Sequence, residues 1–260
     1  MADFEVPVPG GRLHGADDGS GEPVLLLHAG VTDSRVWDTT VPLLVGAGYR
    51  AIRYDTRGYG RSPASAGPFS LVTDALAVLD AVGVPAAHFV GLSQGAATSV
   101  DVVLAAPDRV RTLTLIGPGL SGYEWPRLPG FARRLAAAER DDAHGLALEI
   151  ARLWAPMSFE VAGADPDDLA ARIVREQAEA FMADEQEVEE PTAIPRLGEI
   201  TAPTLVVLGD RDLDAVATIG RLLADRIPAA RLVTLTGADH ILPLRVPDRL
   251  HALLVPHLLR

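Results

Sequence analysis

The chain has 260 residues, enough for one large domain or a core with an insertion, and its 23 cationic groups, all arginine, face 35 carboxylates for a formal charge of −12. That balance argues against a general nucleic-acid binder. The absence of cysteine, lysine and asparagine excludes disulfides, thiol nucleophiles, cysteine-held zinc, Schiff bases, P-loops and N-glycosylation, which leaves Ser, His, Asp, Glu, Tyr and Arg to carry any catalysis.

The opening FEVPVPGGRLHG predicts an antiparallel hairpin turning at Gly10-Gly11. VLLLH (Val24 to His28), YRAIRY (Tyr49 to Tyr54), HFVGL (His88 to Leu92) and VRTLTLI (Val110 to Ile116) are short, rich in β-branched residues and bounded by Gly, Pro or charge. They read as strands, and being nearly all apolar they belong in a parallel sheet buried on both faces. Ser34 to Val45, Ser70 to Ala81 and Ser93 to Ala106 are long enough for the intervening crossover helices.

The next stretch, about Gly119 to Gly198, shows no convincing strand. Helical periodicity runs through FARRLAAAERDDAHGLALEIARLW and DPDDLAARIVREQAEAFMADEQEVEEP, the second opened by Asp165 and Asp168 with Pro166 at its first turn. From Gly119 to Pro195 there are 16 acids and 7 arginines, so −9 of the −12 lies here, as expected for the solvated face of inserted helices. Strand patterning resumes with TLVVL (Thr204 to Leu208) and RLVTL (Arg231 to Leu235), and an amphipathic stretch runs from Asp248 to Leu259. No apolar run approaches the ~18 residues of a membrane span. MADFEVPVPGGRLHG also places acidic residues where a signal peptide needs positive charge, so a soluble cytoplasmic protein without a membrane partner is expected.

Gly91-Leu92-Ser93-Gln94-Gly95 is the one G-x-S-x-G in the chain. A serine N-cap flanked by helix-packing glycines would give the same letters. The strand HFVGL before it and the helix-like AATSVDVVLAA after it instead fit a nucleophile elbow, in which a sharp turn lifts Ser93 Oγ into the open. The helix N-terminus is then aimed at developing negative charge. A serine nucleophile needs a base, and the base an orienting carboxylate. Seven histidines compete for the first role. Gly117-Pro118-Gly119-Leu120-Ser121-Gly122 matches a dinucleotide fingerprint by letter, but Tyr123-Glu124-Trp125-Pro126 follows where a helix should open. No cofactor and no metal are expected.

LLLHAG, YDTRGYGRS, GLSQG, PTLVVLGDRD and GADH together resemble the α/β-hydrolase superfamily, in its esterase, lactonase and cofactor-free haloperoxidase branch, with enol-lactonases nearest. The resemblance implies a mostly parallel eight-stranded sheet with helices on both faces, a core of residues 1–118 and 199–260, and a helical cap over 119–198. It selects His240 in GADHILP as base, and Asp212, through Gly-x-x-Asp, as orienting carboxylate ahead of Asp210, Asp214 and Asp239. The family's oxyanion hole falls on the N–H groups of Gln94 and Gly30, although Ala29 stands where relatives carry the first glycine. His28 and the loop Tyr54 to Ser62 are expected to be structural. The cap and the oxyanion-loop side suggest Val31, Trp37, Leu120, Trp125 and Trp154 as pocket walls, with Phe131, Leu153, Met157, Phe159 and Phe181 as further candidates. The implied function is hydrolysis of a small carboxylic ester or lactone with a short acyl group. Perhydrolysis, C–C hydrolysis and a binding protein with a disused triad stay as alternatives.

Overall fold

Alternate side chains of a strand point to opposite faces, so a strand covered on both faces must be apolar throughout. The computed structural model describes residues 2–162, 168–183 and 186–260. Its strands are β1 (Ala2–Val8), β2 (Gly11–Gly19), β3 (Glu22–Leu27), β4 (Tyr49–Asp55), β5 (Ala87–Leu92), β6 (Val110–Ile116), β7 (Thr204–Gly209) and β8 (Arg231–Leu235). They form one eight-stranded sheet in the order β1-β2-β4-β3-β5-β6-β7-β8. Only β2 runs against its neighbours, and every pairing from β4 to β8 is parallel. Every residue of β5 and β7 is buried. The hairpin exists, but Val8 pairs with Gly11, so the turn is Pro9-Gly10 and lies one residue earlier than expected. Proline fixes the first turn position and Gly10 takes the second at φ +77°, the type II arrangement.

The core helices are α1 (Thr40–Gly46), α2 (Leu71–Ala81) and α3 (Gln94–Ala105), with Ser70 capping α2 by accepting from Thr73 N–H. Between β6 and β7 come α4 (Phe131–Glu139), α5 (Ala143–Trp154), α6 (Pro156–Ala162), α7 (Leu169–Arg175) and α8 (Ala178–Met182). α9 (Asp214–Arg226) links β7 to β8, and α10 (Leu242–Arg245) and α11 (Pro247–Leu258) close the chain. Strand alternation divides the interior in two. Leu25 and Leu27 join Val78 of α2, Val100 of α3 and Leu223 of α9 in one core. Val24 and Leu26 join Leu44 of α1 and Leu250 and Leu254 of α11 in the other.

Where helical periodicity alone guided the reading, the boundaries move. Ser34 to Val45 is a 3₁₀ turn over Ser34–Trp37 followed by α1. A continuous helix would bury Pro42 in its interior, against the carbonyl of Asp38, whereas a start at Thr40 leaves it in the first turn. FARRLAAAERDDAHGLALEIARLW breaks between α4 and α5 at Asp141 (φ 55°), and the side chain of Asp142 accepts from Gly145 N–H to cap α5. Asp165 and Pro166 lie outside the described residues. Asp168 caps α7 by accepting from Ala171 N–H. α7 and α8 separate at Gln177, a buried side chain that accepts from Gly60 N–H (3.0 Å) and donates to Asp33 (2.8 Å). Among the described residues, no helix is long and apolar enough to cross a membrane.

Asp101 of α3 is buried and accepts from Ser121 Oγ at 2.6 Å. Burial, reinforced by Glu190, pushes its carboxyl up to about 6 against the opposing hydrogen bond from Ser121. Below pH 4 the group is protonated whether the chain is folded or not. As pH rises toward 6 the unfolded chain ionises it more readily, and stability is lost. Asp101→Asn is therefore expected to stabilise the protein at pH 7, by at most about 3 kcal/mol, and to change it little at pH 4. Thermal melts at the two pH values check this, since an equal shift at both would trace the effect to packing and not to charge.

Candidate active site

β5 delivers Ser93 into a sharp turn before α3. Its φ of 55° and ψ of −111° lie outside the regions open to most side chains, a strain that needs surrounding structure to hold it. Its N–H donates to Ile116 O (2.9 Å), and its carbonyl accepts from Ala96, Ala97 and Gly119 N–H (3.0 to 3.1 Å). Gly91 and Gly95 are required by backbone approach. A methyl group on Gly91 would stand 2.2 Å from Gly95 O, and one on Gly95 would stand 2.3 Å from Leu27 O. Gln94 opens α3, so its N–H has no acceptor within the helix.

The loops after β7 and β8 bring Asp212 and His240 together. Nδ1 of His240 and Oδ2 of Asp212 are 2.8 Å apart, with both side chains almost fully buried (1% and 2% exposed). In the neutral imidazole, an Nδ1–H that donates to the carboxylate leaves Nε2 as the acceptor nitrogen. It is buried without a hydrogen-bond partner among the described residues. The loop between Ser93 and this pair is Gly117 to Gly119. A methyl group on Gly117 (φ 46°) would reach 3.2 Å from Asp212 Oδ2 and 3.3 Å from His240 Nδ1, and one on Gly119 would lie 3.2 Å from Ser93 O. The apparent dinucleotide fingerprint is thus a spacer against these side chains.

The competing acids have other partners. Asp210 accepts from Gly237 N–H (2.6 Å) and ties down the turn after β8. Asp214 is the first residue of α9. Asp239, fully buried, accepts from Arg245 and from the N–H of Met157 in α6 (3.1 Å). Arg245 also reaches Asp168 and Ser158 (2.8 and 2.6 Å). Burial would lower its pKa, but the two carboxylates outweigh that and raise it.

Gly30 lies against the side chain of Gln94, whose Oε1 is 2.7 Å from where a Cβ on Gly30 would sit. Ala29 is fully buried in the second core. Thr56 N–H donates to His28 Nε2 (2.9 Å), so His28 Nδ1 donates to Ala29 O (2.7 Å) and orders this loop. Tyr59 donates its hydroxyl to Gly30 O (2.8 Å).

A cavity of about 600 Å³ opens beside Gly30 and Gln94. Its walls include Tyr59 and Phe69 from core loops, Phe131 and Leu135 from α4, Leu146 and Ile150 from α5, and Phe181 from α8. The loop Tyr54 to Ser62 is partly structural, as expected, since Arg57 forms a buried two-point pair with Asp74 (2.7 Å each). Thr56 to Tyr59 nevertheless wall the cavity, a role missed in the sequence. The expected pocket residues divide. Trp37 is completely buried in the core with Leu44 and Leu254, because the 3₁₀ turn points it inward and not toward the cap. Leu120 is likewise a core residue, 4% exposed, and Val31 is half-buried against the second core. Trp154 stacks on His240 with ring centroids 4.3 Å apart and 45° between planes. Trp125, 41% exposed, meets Trp154 edge-on at 6.2 Å. Phe159 lies under the Arg152 guanidinium. Among the described residues, no group of three or more His, Asp or Glu is placed to hold a metal ion.

The alpha/beta hydrolase fold family matches residues 22–245, and the chain belongs to it. It is 32% identical to rhodomycin D methylesterase DauP of Streptomyces sp. strain C5, over 94% of this chain and 93% of that protein. It is 30% identical to a 2-hydroxy-6-oxononadienedioate/2-hydroxy-6-oxononatrienedioate hydrolase of Cupriavidus pinatubonensis, over 88% and 84%. The enol-lactonase from Burkholderia xenovorans LB400 superposes with a TM-score of 0.81 at 26% identity, over 99% of this chain and all of that one (100%).

Gly117→Ala is expected to push Asp212 and His240 apart while the sheet stays intact. Proton NMR should lose the far-downfield imidazole N–H signal given by a His–Asp bond of this kind, with an unchanged far-ultraviolet circular dichroism spectrum. Survival of that signal would mean that the loop yields instead.

Proposed function

We propose that the protein is a serine hydrolase that cleaves a carboxylic ester or lactone, with Ser93 as nucleophile, His240 as base and Asp212 as the carboxylate that orients it. The observation that carries the reading is the buried Asp212–His240 bond of 2.8 Å, which leaves a basic nitrogen without a partner, in a site that also contains a serine held in a strained turn. The likenesses to a methylesterase and an enol-lactonase support it.

In this mechanism His240 Nε2 takes the hydroxyl proton of Ser93 as Oγ attacks the carbonyl carbon. The carbonyl oxygen becomes an oxyanion held by the N–H groups of Gln94 and Gly30, at the N-terminus of α3. The imidazolium is stabilised by the Asp212 carboxylate. When the tetrahedral intermediate collapses, the C–O bond breaks and the leaving alkoxide takes the proton back from Nε2. Water, deprotonated by His240, then repeats the attack on the acyl-enzyme and releases the acid and free Ser93. We assign residues 119–198 the role of a cap over a core of 1–118 and 199–260. Phe131, Leu146 and Phe181 give its inner side an apolar surface that displaces water and strengthens the oxyanion contacts.

An organophosphonate should add once to the wild-type protein, on Ser93, and His240→Ala should abolish the adduct. Intact mass and peptide mapping read this out, and a folded wild-type protein that takes no label rules the proposal out. Asp212→Asn should lower kcat by roughly four orders of magnitude, as neutralising a triad carboxylate does. Asp210→Asn and Asp214→Asn should each cost far less. A crippling Asp210→Asn beside a mild Asp212→Asn would move the carboxylate role two residues along the loop.

A further inference from the structure

An ester bound at this site has two arms, and the protein treats the space for them very differently. The oxyanion is held between Gly30 and Gln94, and both border the 600 Å³ cavity. A volume in this range accommodates a ligand of drug-like size, well beyond a short acyl chain. Four of its walls are the aromatic side chains of Tyr59, Phe69, Phe131 and Phe181. Two guanidiniums also border it: that of Arg57 is committed to Asp74, and that of Arg134 donates to Pro129 O. The Glu187 carboxylate accepts from Gln94 Nε2 (3.0 Å).

The opposite side is closed. The leaving oxygen must come within hydrogen-bond reach of His240 Nε2 to take its proton. Neither His240 nor Ser93 is among the cavity walls, but the His240 side chain is 1% exposed whereas Ser93 is half-buried. The Trp154 indole covers the ring at 4.3 Å, and Asp212 and Gly117 close in on Nδ1. α5 therefore serves both sides at once, since Leu146 and Ile150 wall the chamber while Trp154 at its end covers the base.

From this asymmetry, and resting on the serine-hydrolase reading, we infer that the substrate is an ester of a large, flat, apolar carboxylic acid with a very small alcohol, the acyl body filling the aromatic chamber and Trp154 limiting the alcohol. The acyl arm is then the one that supplies binding energy. The alcohol contributes little contact and leaves as a fragment of one or two carbons. This replaces the short acyl group expected from sequence, because the pattern of the cap residues carries no measure of the space they enclose.

The test uses two ester series on the full-length protein. In the first the alcohol is methanol and the acid grows from acetic through 3-phenylpropanoic to 4-(2-naphthyl)butanoic acid. In the second the acid is 3-phenylpropanoic and the alcohol grows from methanol to benzyl alcohol and 2-naphthylmethanol, alcohols of similar acidity. kcat/KM should rise at least a hundredfold along the first series and fall at least tenfold along the second. Trp154→Ala should relieve the penalty on the larger alcohols by tenfold or more. Ala180→Trp, which places bulk at the chamber wall, should erase most of the gain from the naphthyl acid. A rise with alcohol size that matches or exceeds the rise with acid size overturns the inference even though esters are cleaved. Absence of turnover on every ester, together with no phosphonate adduct on Ser93, overturns the serine-hydrolase reading beneath it.

Discussion

At the carboxyl end of the sheet, backbone meets backbone more closely than any side chain would allow, and the site depends on that approach. Gly95 sits on the carbonyl of Leu27, Gly91 on that of Gly95, and Gly209 on that of Ala238, where an added methyl would stand 2.3 Å from the oxygen. Gly117 and Gly119 give the loop after β6 the same freedom beside Asp212, His240 and Ser93. The loops that follow β5, β6, β7 and β8 can thereby pack backbone on backbone. Ser93 is brought to the same end of the sheet as Asp212 and His240, which lie more than a hundred residues further along the chain. Each of these glycines is conformationally expensive in an unfolded chain. Their concentration at one end of the sheet is where the fold accepts that expense.

Charge holds the second layer. Every cation in the chain is an arginine, and the planar fork of a guanidinium can bond to two groups at once, which an ammonium does less well. Arg245 joins Asp239 in the core to Asp168 and Ser158 in the inserted segment. Arg35 joins Asp33 to Glu176, and Arg211 reaches across to Glu160. These links join the inserted helices to the core alongside an apolar contact, since Ala155 and Ala170 belong to the same buried cluster as Trp37 and Ile241. The acidic excess of the insertion is therefore partly consumed in anchoring it, and only the remainder faces solvent.

The sheet was legible in the sequence because two-sided burial leaves a local signature: four to seven apolar, β-branched residues bounded by Gly, Pro or charge. All six strands assigned individually appear with ends moved by no more than two residues. The elbow was legible for the same reason, since strand, Gly-x-Ser-x-Gly and helix are contiguous. What failed was everything decided by distant parts of the chain. Periodicity cannot locate a break such as Gln177, which exists because Gly60 and Asp33 need its amide. Trp37 and Leu120 were misplaced because an apolar residue near a site looks the same whether it faces a cavity or the core. Tyr59 was missed because its hydroxyl bond to Gly30 joins two loops separated by α1 and β4. The glycine after β6 could have been found: a Gly-x-Gly that closes a strand and opens no helix already asks what lies against it.

Asp239 has a role in the fold that its neighbour in sequence makes consequential. It carries the docking point of α6, through Met157 N–H, on the residue immediately before His240, while α5 lays Trp154 on the His240 ring. The inserted helices and the imidazole are thus a single mechanical unit. When the helices are down, the ring has an indole on one face and a carboxylate on Nδ1. Any displacement of α5 or α6 would therefore act on the imidazole from two sides at once, through the indole laid on its face and through the backbone of Asp239 beside it.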